Sequence, residues 1–397
     1  MRKKNVAIIF GGRSPEHEVS IITAHQVIAA LNGRYRVTPI YITKTGEWLT
    51  GNNFLELDTF TRGNLPNDTN SDKVIIEFGQ KPQFRVCKRG FGRFHRNKNL
   101  PIDVVFPVIH GAHGEDGTLP GLLELMNIPY VGAGVLGSAV GMDKIAMKAV
   151  LREENLPVVS YLWFTKKVLE ANPESAAKKV EQNLNYPVFV KPANSGSSIG
   201  VSQVQNQGDL KSALDLACQY DMRVIVEEAL EDAIEINCSV MGNYDLTASV
   251  CEQPVYSGEF LSFDDKYVHD ESKISGMAGA DRTIPAPISP KLTSKIQDLA
   301  KRTFEVLDCK GIARVDFLVG KGEIPFVNEI NTIPGSFSFY LWERENVDFP
   351  LLVDKLIELA FEVYAEKNSV VYSYGANLLS RLNLKSGKIN SGAGVKN

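Results

Sequence analysis

Two carboxylates and a carboxamide lie at a fixed spacing within residues 311–335. Two apolar-rich runs flank a Gly-Lys-Gly-Glu segment at 320–323, a pattern that predicts a β-hairpin. Because side chains alternate faces along a strand, folding at this turn puts Asp316 roughly opposite Glu329, with Asn331 on the same face. An all-oxygen set of this kind suits Mg²⁺, which usually keeps waters and nucleotide phosphate oxygens as further ligands. A surface hairpin with solvated charges is the alternative interpretation.

Two positive side chains lie next to these features. Arg314 shares the strand face of Asp316, and a cation there relieves the repulsion between neighbouring carboxylates. Lys191 stands near the end of a predicted strand, 188–192, that runs into the Gly/Ser-rich loop 193–200. The N–H groups and hydroxyls of such a loop can cradle phosphate, although the G-x-x-x-x-G-K-[ST] pattern is absent. A flexible Ser/Gly turn is the alternative.

The N-terminal part of the chain predicts a parallel α/β domain. A buried strand at 5–10 ends in two glycines and precedes a helix at 20–31, and another strand at 103–109 runs into the loop 110–117. The glycines of that loop imply a close approach of its backbone to another group. Glu16 stands just before the first helix, where the helix dipole by itself also favours a carboxylate.

The remaining sequence predicts further strands and helices. Strands at 224–228 and 234–240 carry carboxylates that suit an adenine amino group or ribose hydroxyls. Residues 50–100 are polar and turn-rich, and no element is predicted there. The polar segment 260–284 has the length of a lid, and the Gly/Ser-rich residues 368–397 predict a loosely ordered tail. Helices are predicted at 119–126, 138–151, 291–307 and 349–364.

Length and composition restrict the function classes. With 397 residues the chain is long enough for two or three domains. A net charge of −4 gives no reason to expect nucleic acid or an anionic membrane as partner. Five scattered cysteines without a C-x-x-C pair argue against a disulfide framework and a zinc site. No apolar run reaches the length of about 18 residues that a membrane helix requires, and the run at 6–10 is too short for a signal peptide. A cytoplasmic location is therefore expected.

Taken together, the motifs resemble the D-alanine–D-alanine ligase family of the ATP-grasp superfamily. The resemblance covers residues 5–365 and rests on FGGRSPEHEVS, HGAHGEDGTLPG, SAVGMDK, VFVKPANSGSSIGVS, a Lys-Tyr pair, ARVDF and NEINTIPG, in the family's order. It implies an α/β and α+β chain with three-domain ATP-grasp architecture. The implied parts are a parallel α/β domain at 1–140, a central subdomain at 141–228, a C-terminal subdomain at 229–367 and the tail at 368–397. ATP is gripped between the central and C-terminal subdomains.

The resemblance also implies a role for individual residues. It assigns two Mg²⁺ ions, for which Mn²⁺ can substitute, to Asp316, Glu329 and Asn331. Contacts to ATP are assigned to Lys144, Lys191, Ser198, Glu227, Glu228, Leu230, Glu235, Lys266 and Asn328. Catalytic roles, including a hydrogen-bonded set that closes the loop and the groups that stabilise an oxyanion, are assigned to Glu16, Ser197, Tyr267, Arg314 and Gly335. The amino-acid substrates are assigned to His110, Glu115, Ser338, Tyr340 and Leu341.

These residue types fit the reaction that the resemblance implies. One amino-acid carboxylate attacks the γ-phosphate of ATP, and the amine of a second amino acid then attacks the acyl phosphate. Because an acyl phosphate hydrolyses readily, the site must exclude water, and the segment 260–284 is the natural lid. The resemblance implies a homodimer that acts on D-alanine and ATP, with no nucleic-acid or membrane partner.

The sequence departs from the family pattern at the acceptor side. Five residues after Gly335 the family usually has a serine that helps to bind the acceptor carboxylate, whereas this chain has Tyr340. Either the tyrosine hydroxyl or Ser338 can take over that contact. The lid also carries an extra-looking stretch, KISGMAGADR. A different acceptor, such as D-serine, D-lactate or another amino acid, is therefore a second hypothesis, although Tyr267 favours an amine over lactate. A regulatory nucleotide-binding protein that has lost catalysis is the third.

Overall fold

The computed structural model describes residues 2–61, 71–79, 81–87, 98–196, 199–255 and 282–372. These residues form three β-sheets, each with helices packed against it. Four predicted site residues lie outside the described residues, namely Ser197, Ser198, Lys266 and Tyr267. Most of the predicted lid and the tail beyond residue 372 lie outside them as well. None of the helices in the described ranges is long and apolar enough to cross a membrane.

The first sheet contains seven strands: β1 Asn5–Gly11, β2 Arg36–Ile42, β3 Trp48–Thr50, β4 Asp72–Glu77, β5 Gln83–Cys87, β6 Lys98–Asn99 and β7 Val104–Pro107. Their order is β6-β5-β4-β3-β2-β1-β7, and β1 runs parallel to β2 and β7. All seven residues of β1 are buried because both faces of the sheet are covered. The parallel centre agrees with the prediction, but the strands β3 to β6 add an antiparallel extension where no element was predicted.

Three helices accompany this sheet, α1 His17–Leu31, α2 Asp58–Thr61 and α3 Thr118–Leu125, and α4 Val135–Met142 follows them in the chain. The next helix, α5 Lys144–Glu153, was predicted to be continuous with α4, and that prediction is wrong. Asp143 separates the two helices with an extended backbone, φ −87° and ψ 101°. Its carboxylate accepts from the N–H groups of Ile145 and Ala146, at 3.1 and 2.9 Å. An aspartate that caps a new helix in this way competes with continuation of the old one.

The second sheet is antiparallel, with the order β10-β9-β11-β8. Its strands are β8 Tyr161–Thr165, β9 Val188–Pro192, β10 Ser202–Val204 and β11 Arg223–Glu228. The helices α6 Lys166–Ala171, α7 Pro173–Asn183 and α8 Gln207–Tyr220 cover one face. The apolar residues at alternate positions of β9 and β11 form the core with these helices, so Lys191 and Glu227 point to the opposite face.

The third sheet is also antiparallel and follows the order β14-β13-β12-β15-β16. It consists of β12 Ile234–Gly242, β13 Thr247–Pro254, β14 Arg282–Thr283, β15 Gly311–Gly320 and β16 Ile324–Asn331. Helix α9 Pro290–Val306 packs against it. The chain ends with the short helix α10 Phe339–Trp342 and the long α11 Phe349–Ser369. Helix α11 packs on the first sheet, which brings the segment after β16 against the N-terminal part of the chain.

Candidate active site

The predicted hairpin is present as β15 and β16, and Asp316 pairs directly with Glu329 across it. Arg314 donates to the Asp316 carboxylate from Nε at 2.6 Å and from Nη2 at 2.7 Å. Asn331 Nδ2 donates to the same carboxylate at 2.9 Å. Arg314 and Asp316 are both buried. Two-pronged contacts between arginine and a carboxylate are among the strongest side-chain interactions, so this one fixes both groups.

Lys144 connects the Gly/Ser-rich loop to the hairpin. It is the first residue of α5, and its N–H donates to the carbonyl of Ala193 at 3.0 Å. Its ammonium donates to the carbonyl of Ser195 at 2.7 Å and lies 3.5 Å from the Glu329 carboxylate. The break at Asp143 therefore has a consequence for the site, because it starts a new helix with this lysine at its N-terminus.

Glu227 lies between two lysines in the interior. Its carboxylate is 3.0 Å from the ammonium of Lys148 and 2.6 Å from that of Lys191. Lys148 is 0% exposed and Glu227 2%. Burial would raise the pKa of the Glu227 carboxyl, but the two ammonium groups outweigh it and lower that pKa to about 2. Lys191 also lies 3.4 Å from Oδ1 of Asn328, so the buried carboxylate aims this lysine towards the hairpin.

Lys148 was not among the residues predicted for the site. The available signal was its spacing, since it follows Lys144 by one helical turn and thus shares its helix face. The sequence did not indicate that this face is covered by Glu227 of another element. That pairing depends on how α5 packs against the second sheet.

The residues predicted for the adenine and ribose contacts lie in several places, and Glu228 points to the opposite face of β11 from its neighbour Glu227. Glu228 accepts from the backbone and side-chain amides of Asn185, each at 2.8 Å. Leu230 approaches Gly320, where an added Cβ would lie 3.7 Å from the leucine side chain. The Asn237 side-chain amide satisfies its neighbours when its nitrogen faces the hairpin. In that orientation the nitrogen donates to the carboxylates of Glu235 and Asp316, each at 3.2 Å. Glu235 therefore lies one side chain away from the hairpin carboxylates.

Glu16 occupies the junction of two glycine-containing loops. A Cβ built on Gly111 would lie 2.5 Å from Oε2 of Glu16, and a Cβ on Gly196 would lie 3.0 Å from Oε1. The carboxylate is thus in contact with the loop after β7 and with the Gly/Ser-rich loop after β9. Glu16 itself is buried. A negative charge with this burial, shared by loops from two sheets, is suited to holding an ammonium group or closing the loops together.

His110 and Glu115 flank the same place. The imidazole Nε2 of His110 lies 3.2 Å from Thr23 Oγ1, and burial lowers the pKa of His110 to about 4. Glu115 accepts from the N–H of Gly111 at 2.8 Å and from that of Ile333 at 3.0 Å. Burial raises the pKa of Glu115 to about 7. Glu115 thus joins the loop after β7 to the segment after β16, and His110 is neutral at pH 7.

The turn Gly335–Ser338 has an unusual backbone. Ser336, Phe337 and Ser338 all adopt left-handed conformations, with φ of 51°, 51° and 49°. Such conformations cost about 1–3 kcal/mol for each non-glycine residue and persist where the surroundings impose them, often at ligand sites. The hydroxyls of both serines are buried without a hydrogen-bond partner among the described residues. Buried hydroxyls of this kind are suited to meeting a polar ligand.

Tyr340, the departure from the family pattern, has a partner for its hydroxyl. The hydroxyl donates to Oε1 of Glu252 at 3.2 Å, and Oε2 of Glu252 lies 3.3 Å from Nη1 of Arg282. The guanidinium of Arg282 lies over the tyrosine ring, 4.0 Å from its centroid. Leu341 is fully buried. Neither Glu252 nor Arg282 was predicted for the site, and no local pattern marks them.

The hairpin residues suit a hard cation. Among the residues that the structure describes, no three His, Cys, Asp or Glu side chains come together as a metal cage. The hairpin itself offers two carboxylates, Asp316 and Glu329, with the amide group of Asn331 beside them. Since Mg²⁺ usually takes few protein ligands and completes its shell with water and phosphate oxygens, this small all-oxygen set fits.

The architecture and the site define a class. A mixed N-terminal sheet is followed by two antiparallel sheets, and Lys191 of the second sheet and Lys144 of α5 approach a carboxylate-bearing hairpin from the third. This is the arrangement of an ATP-grasp ligase. Solved structures share it: the D-alanine–D-alanine ligase from Coxiella burnetii matches with a TM-score of 0.76 at 30% identity, over 93% of this chain and 97% of that chain. The VanG D-Ala:D-Ser ligase from Enterococcus faecalis matches with a TM-score of 0.75 at 31% identity, over 90% and 100%.

The family follows from sequence comparison. The models "D-ala D-ala ligase N-terminus" and "D-ala D-ala ligase C-terminus" match residues 5–133 and 150–358. A D-alanine–D-alanine ligase from Thermosipho africanus is 40% identical over 94% of this chain and 98% of its own length. The chain belongs to the D-alanine–D-alanine ligase family. Its members use ATP and a divalent metal ion.

Proposed function

We propose that the protein joins two D-alanines with ATP and releases D-alanyl-D-alanine, ADP and phosphate for peptidoglycan precursors. The convergence of Lys144, Lys191 and Arg314 on the hairpin of Asp316 and Glu329 carries the proposal. Three cations next to two carboxylates suit a polyphosphate and its metal ions, because the cations attract phosphate oxygens and the carboxylates attract the metal ions. Membership of the ligase family supports the same reaction.

In the first half-reaction, Lys144 and Lys191 bind phosphate oxygens and the D-alanine carboxylate attacks the γ-phosphate. Asp316, Glu329 and Asn331 hold two Mg²⁺ ions, for which Mn²⁺ can substitute. When bound, these ions offset the negative charge on the transferred phosphoryl group. The remaining contacts to ATP are assigned to Ser198, Glu227, Glu228, Leu230, Glu235, Lys266 and Asn328.

In the second half-reaction, the amine of the acceptor attacks the acyl carbon and phosphate leaves. Arg314 and the N–H of Gly335 donate to the oxyanion, a type of contact worth about 3–4 kcal/mol in the transition state. Glu16 holds the ammonium of the first D-alanine, next to His110 and Glu115, and closes the site together with Ser197 and Tyr267. Ser338, Tyr340 and Leu341 line the acceptor side.

The chain is expected to act as a homodimer in the cytoplasm, with small molecules as its only substrates. Light scattering of the purified protein measures the dimer directly. A monomer of full activity would contradict that expectation without affecting the proposed reaction.

The test is phosphate release from Mg²⁺-ATP with D-alanine alone, with products identified by mass. D-alanyl-D-alanine as the product supports the proposal. The second candidate is an acceptor other than D-alanine, and Tyr340 in place of the family's serine is the observation that favours it. Phosphate release that appears only after D-serine, D-lactate or another amino acid is added would establish this second function. No turnover with any amino acid would favour a regulatory protein.

A further inference from the structure

We propose that Lys148 is a positioning residue for the nucleotide: as the buried counterion of Glu227, it leaves the charge of Lys191 available to a phosphate of ATP. The inference rests on the proposed function for the contact between Lys191 and a phosphate. It adds to that site a residue that touches no substrate and acts through the carboxylate between the two lysines.

Lys148 is enclosed by the protein. Its side chain is 0% exposed, and its ammonium lies 3.0 Å from Oε1 of Glu227. A group with no accessible surface meets no ligand, so any effect on binding passes through this carboxylate. A buried ion pair is weak evidence for stability, because both charges lose their hydration and apolar side chains of similar size often pack as well. The pair therefore needs a reason other than folding.

The two oxygens of Glu227 face different lysines. Oε1 faces Lys148, whereas Oε2 accepts from Nζ of Lys191 at 2.6 Å. The side chain of Lys191 is 12% exposed, and its ammonium lies 3.4 Å from Oδ1 of Asn328, next to the metal-binding hairpin. One lysine thus holds the carboxylate from the interior, and the other faces the side where the phosphates are proposed to bind.

The charges in this cluster do not cancel. One carboxylate lies between two ammonium groups, which leaves one positive charge in excess. Burial lowers the pKa of both lysines, and the charge of Glu227 opposes that shift, so that the pKa of Lys191 is raised overall. The excess charge lies on the side of Lys191, since Lys148 is shielded from any ligand. A phosphate that approaches Lys191 therefore meets a net positive charge.

Without Lys148 the cluster would be neutral. Glu227 would then have Lys191 as its counterion, and a phosphate would compete with a buried carboxylate for the same ammonium. If the phosphate took that ammonium, Glu227 would remain buried without a counterion, which is strongly unfavourable. The interior lysine removes this competition.

The experiment measures the dissociation constants of Mg²⁺-ATP and of adenosine by isothermal titration calorimetry. Adenosine has the same base and ribose but no phosphate, so the ratio of the two constants reports on the phosphate contact. Wild type is compared with Lys148→Met, which removes the charge at similar length, and with Lys148→Gln, which keeps a donor for Glu227. Because partial unfolding changes the stoichiometry and not the ratio, a purely structural effect leaves the ratio unchanged.

Arg152→Met is the matched control. Arg152 follows Lys148 by one turn on the same helix, and its guanidinium lies 5.0 Å from the ring centroid of Tyr161. Tyr161 pairs with Glu227 across β8 and β11, so both cations pack against the same part of the second sheet. Arg152 is exposed and has no ion pair with Glu227 among the described residues.

In Lys148→Met we expect the preference for Mg²⁺-ATP over adenosine to fall by about tenfold or more, as for loss of a charge-assisted hydrogen bond. Lys148→Gln should show the same fall and takes its place if Lys148→Met cannot be purified. Arg152→Met should keep the wild-type preference. A preserved preference in the Lys148 variants, with both ligands bound equally well or weakened alike, would show that Lys148 only supports the packing and would overturn the proposal.

A double variant tests whether Lys148 acts through Glu227. With glutamine at position 227 no carboxylate neutralises Lys191, so Glu227→Gln and the double variant Lys148→Met/Glu227→Gln should both keep the preference for Mg²⁺-ATP. A preference that stays about tenfold lower in the double variant than in Glu227→Gln would mean that Lys148 acts by another route, and the proposal would be wrong.

Binding and turnover separate this inference from the proposed function. If wild type binds Mg²⁺-ATP but forms no D-alanyl-D-alanine, the proposed reaction fails, and the two dissociation constants still decide the role of Lys148. A wild type that ligates D-alanine, with an unchanged preference in the Lys148 variants, overturns this inference alone.

Discussion

Replacing Glu227 by glutamine tests whether the buried charge cluster organises the second sheet. In the variant, Lys148 keeps its position but loses its 3.0 Å partner, and it is 0% exposed. Removing one partner of a buried ion pair typically costs about 3–5 kcal/mol of the free energy of unfolding. The cost has an upper limit, because Lys148 can lose its proton instead of staying charged without a partner. Neutralising a lysine of ordinary pKa at pH 7 costs about 4.6 kcal/mol. The expected loss is therefore about 3–5 kcal/mol at pH 7.

The variant has a pH signature. If Lys148 is neutral in the folded variant and has its ordinary pKa when unfolded, the unfolded state binds the additional proton below about pH 10. Stability of the variant relative to wild type then rises with pH, by about 1.4 kcal/mol for each pH unit. Urea denaturation followed by circular dichroism at pH 7 and pH 9 measures the difference.

The matched control is Glu228→Gln, one residue further along the same strand. The Glu228 carboxylate accepts from the amides of Asn185 and has no lysine partner in the described residues. Its substitution should cost no more than about 1 kcal/mol, with no dependence on pH between 7 and 9. Equal losses for Glu227→Gln and Glu228→Gln, or a Glu227→Gln loss that does not shrink at pH 9, would refute the reasoning.

Three further predictions concern the site. Asp316→Asn should reduce ATP turnover by at least about 100-fold while circular dichroism stays unchanged, because a carboxylate ligand is lost; turnover near that of wild type would remove Asp316 from the metal site. Gly111→Ala and Gly33→Ala should each cost about 1–2 kcal/mol of the free energy of unfolding, because both glycines have a positive φ, +72° and +74°. Only Gly111→Ala should also raise the KM of the first D-alanine, because its added Cβ meets Glu16. A KM in Gly111→Ala equal to that in Gly33→Ala would contradict this role of Glu16. Glu115 has a pKa of about 7 in the folded state and an ordinary pKa of about 4.5 in the unfolded state. The folded state therefore binds the additional proton between about pH 4.5 and pH 7, and the wild type loses up to about 3 kcal/mol of stability as the pH rises through this range. Glu115→Gln removes this term, so its stability relative to wild type should rise from pH 5 to pH 8 in urea titrations, and a constant difference would count against the raised pKa.

Much of the local structure was predictable because it depends on short-range patterns. Apolar runs on either side of a Gly-containing turn were enough to predict the hairpin, but the direct pairing of Asp316 with Glu329 also depends on a register shift between Asp316 and Phe317. The helices 291–307 and 349–364 were predicted within a few residues of α9 and α11. The break at Asp143 was missed because an aspartate inside an apolar periodic segment can be either a surface residue or a cap. The antiparallel strands β3 to β6 were missed because they are short and lie on the more polar edge of the sheet.

By itself, the sequence determined the hairpin that carries the two carboxylates, the parallel strands that end in glycine-containing loops, and the motifs that identify the family. Each of these is encoded within one element or between neighbouring elements. Only the tertiary structure decided that Lys148 and Lys191 share Glu227, and that Arg282, Glu252 and Tyr340 form one cluster. Those contacts join residues from separate strands and helices, and their distances are set by how the elements pack. Neither strand period nor helix period carries that information, because a period specifies which face a side chain occupies and not what covers that face.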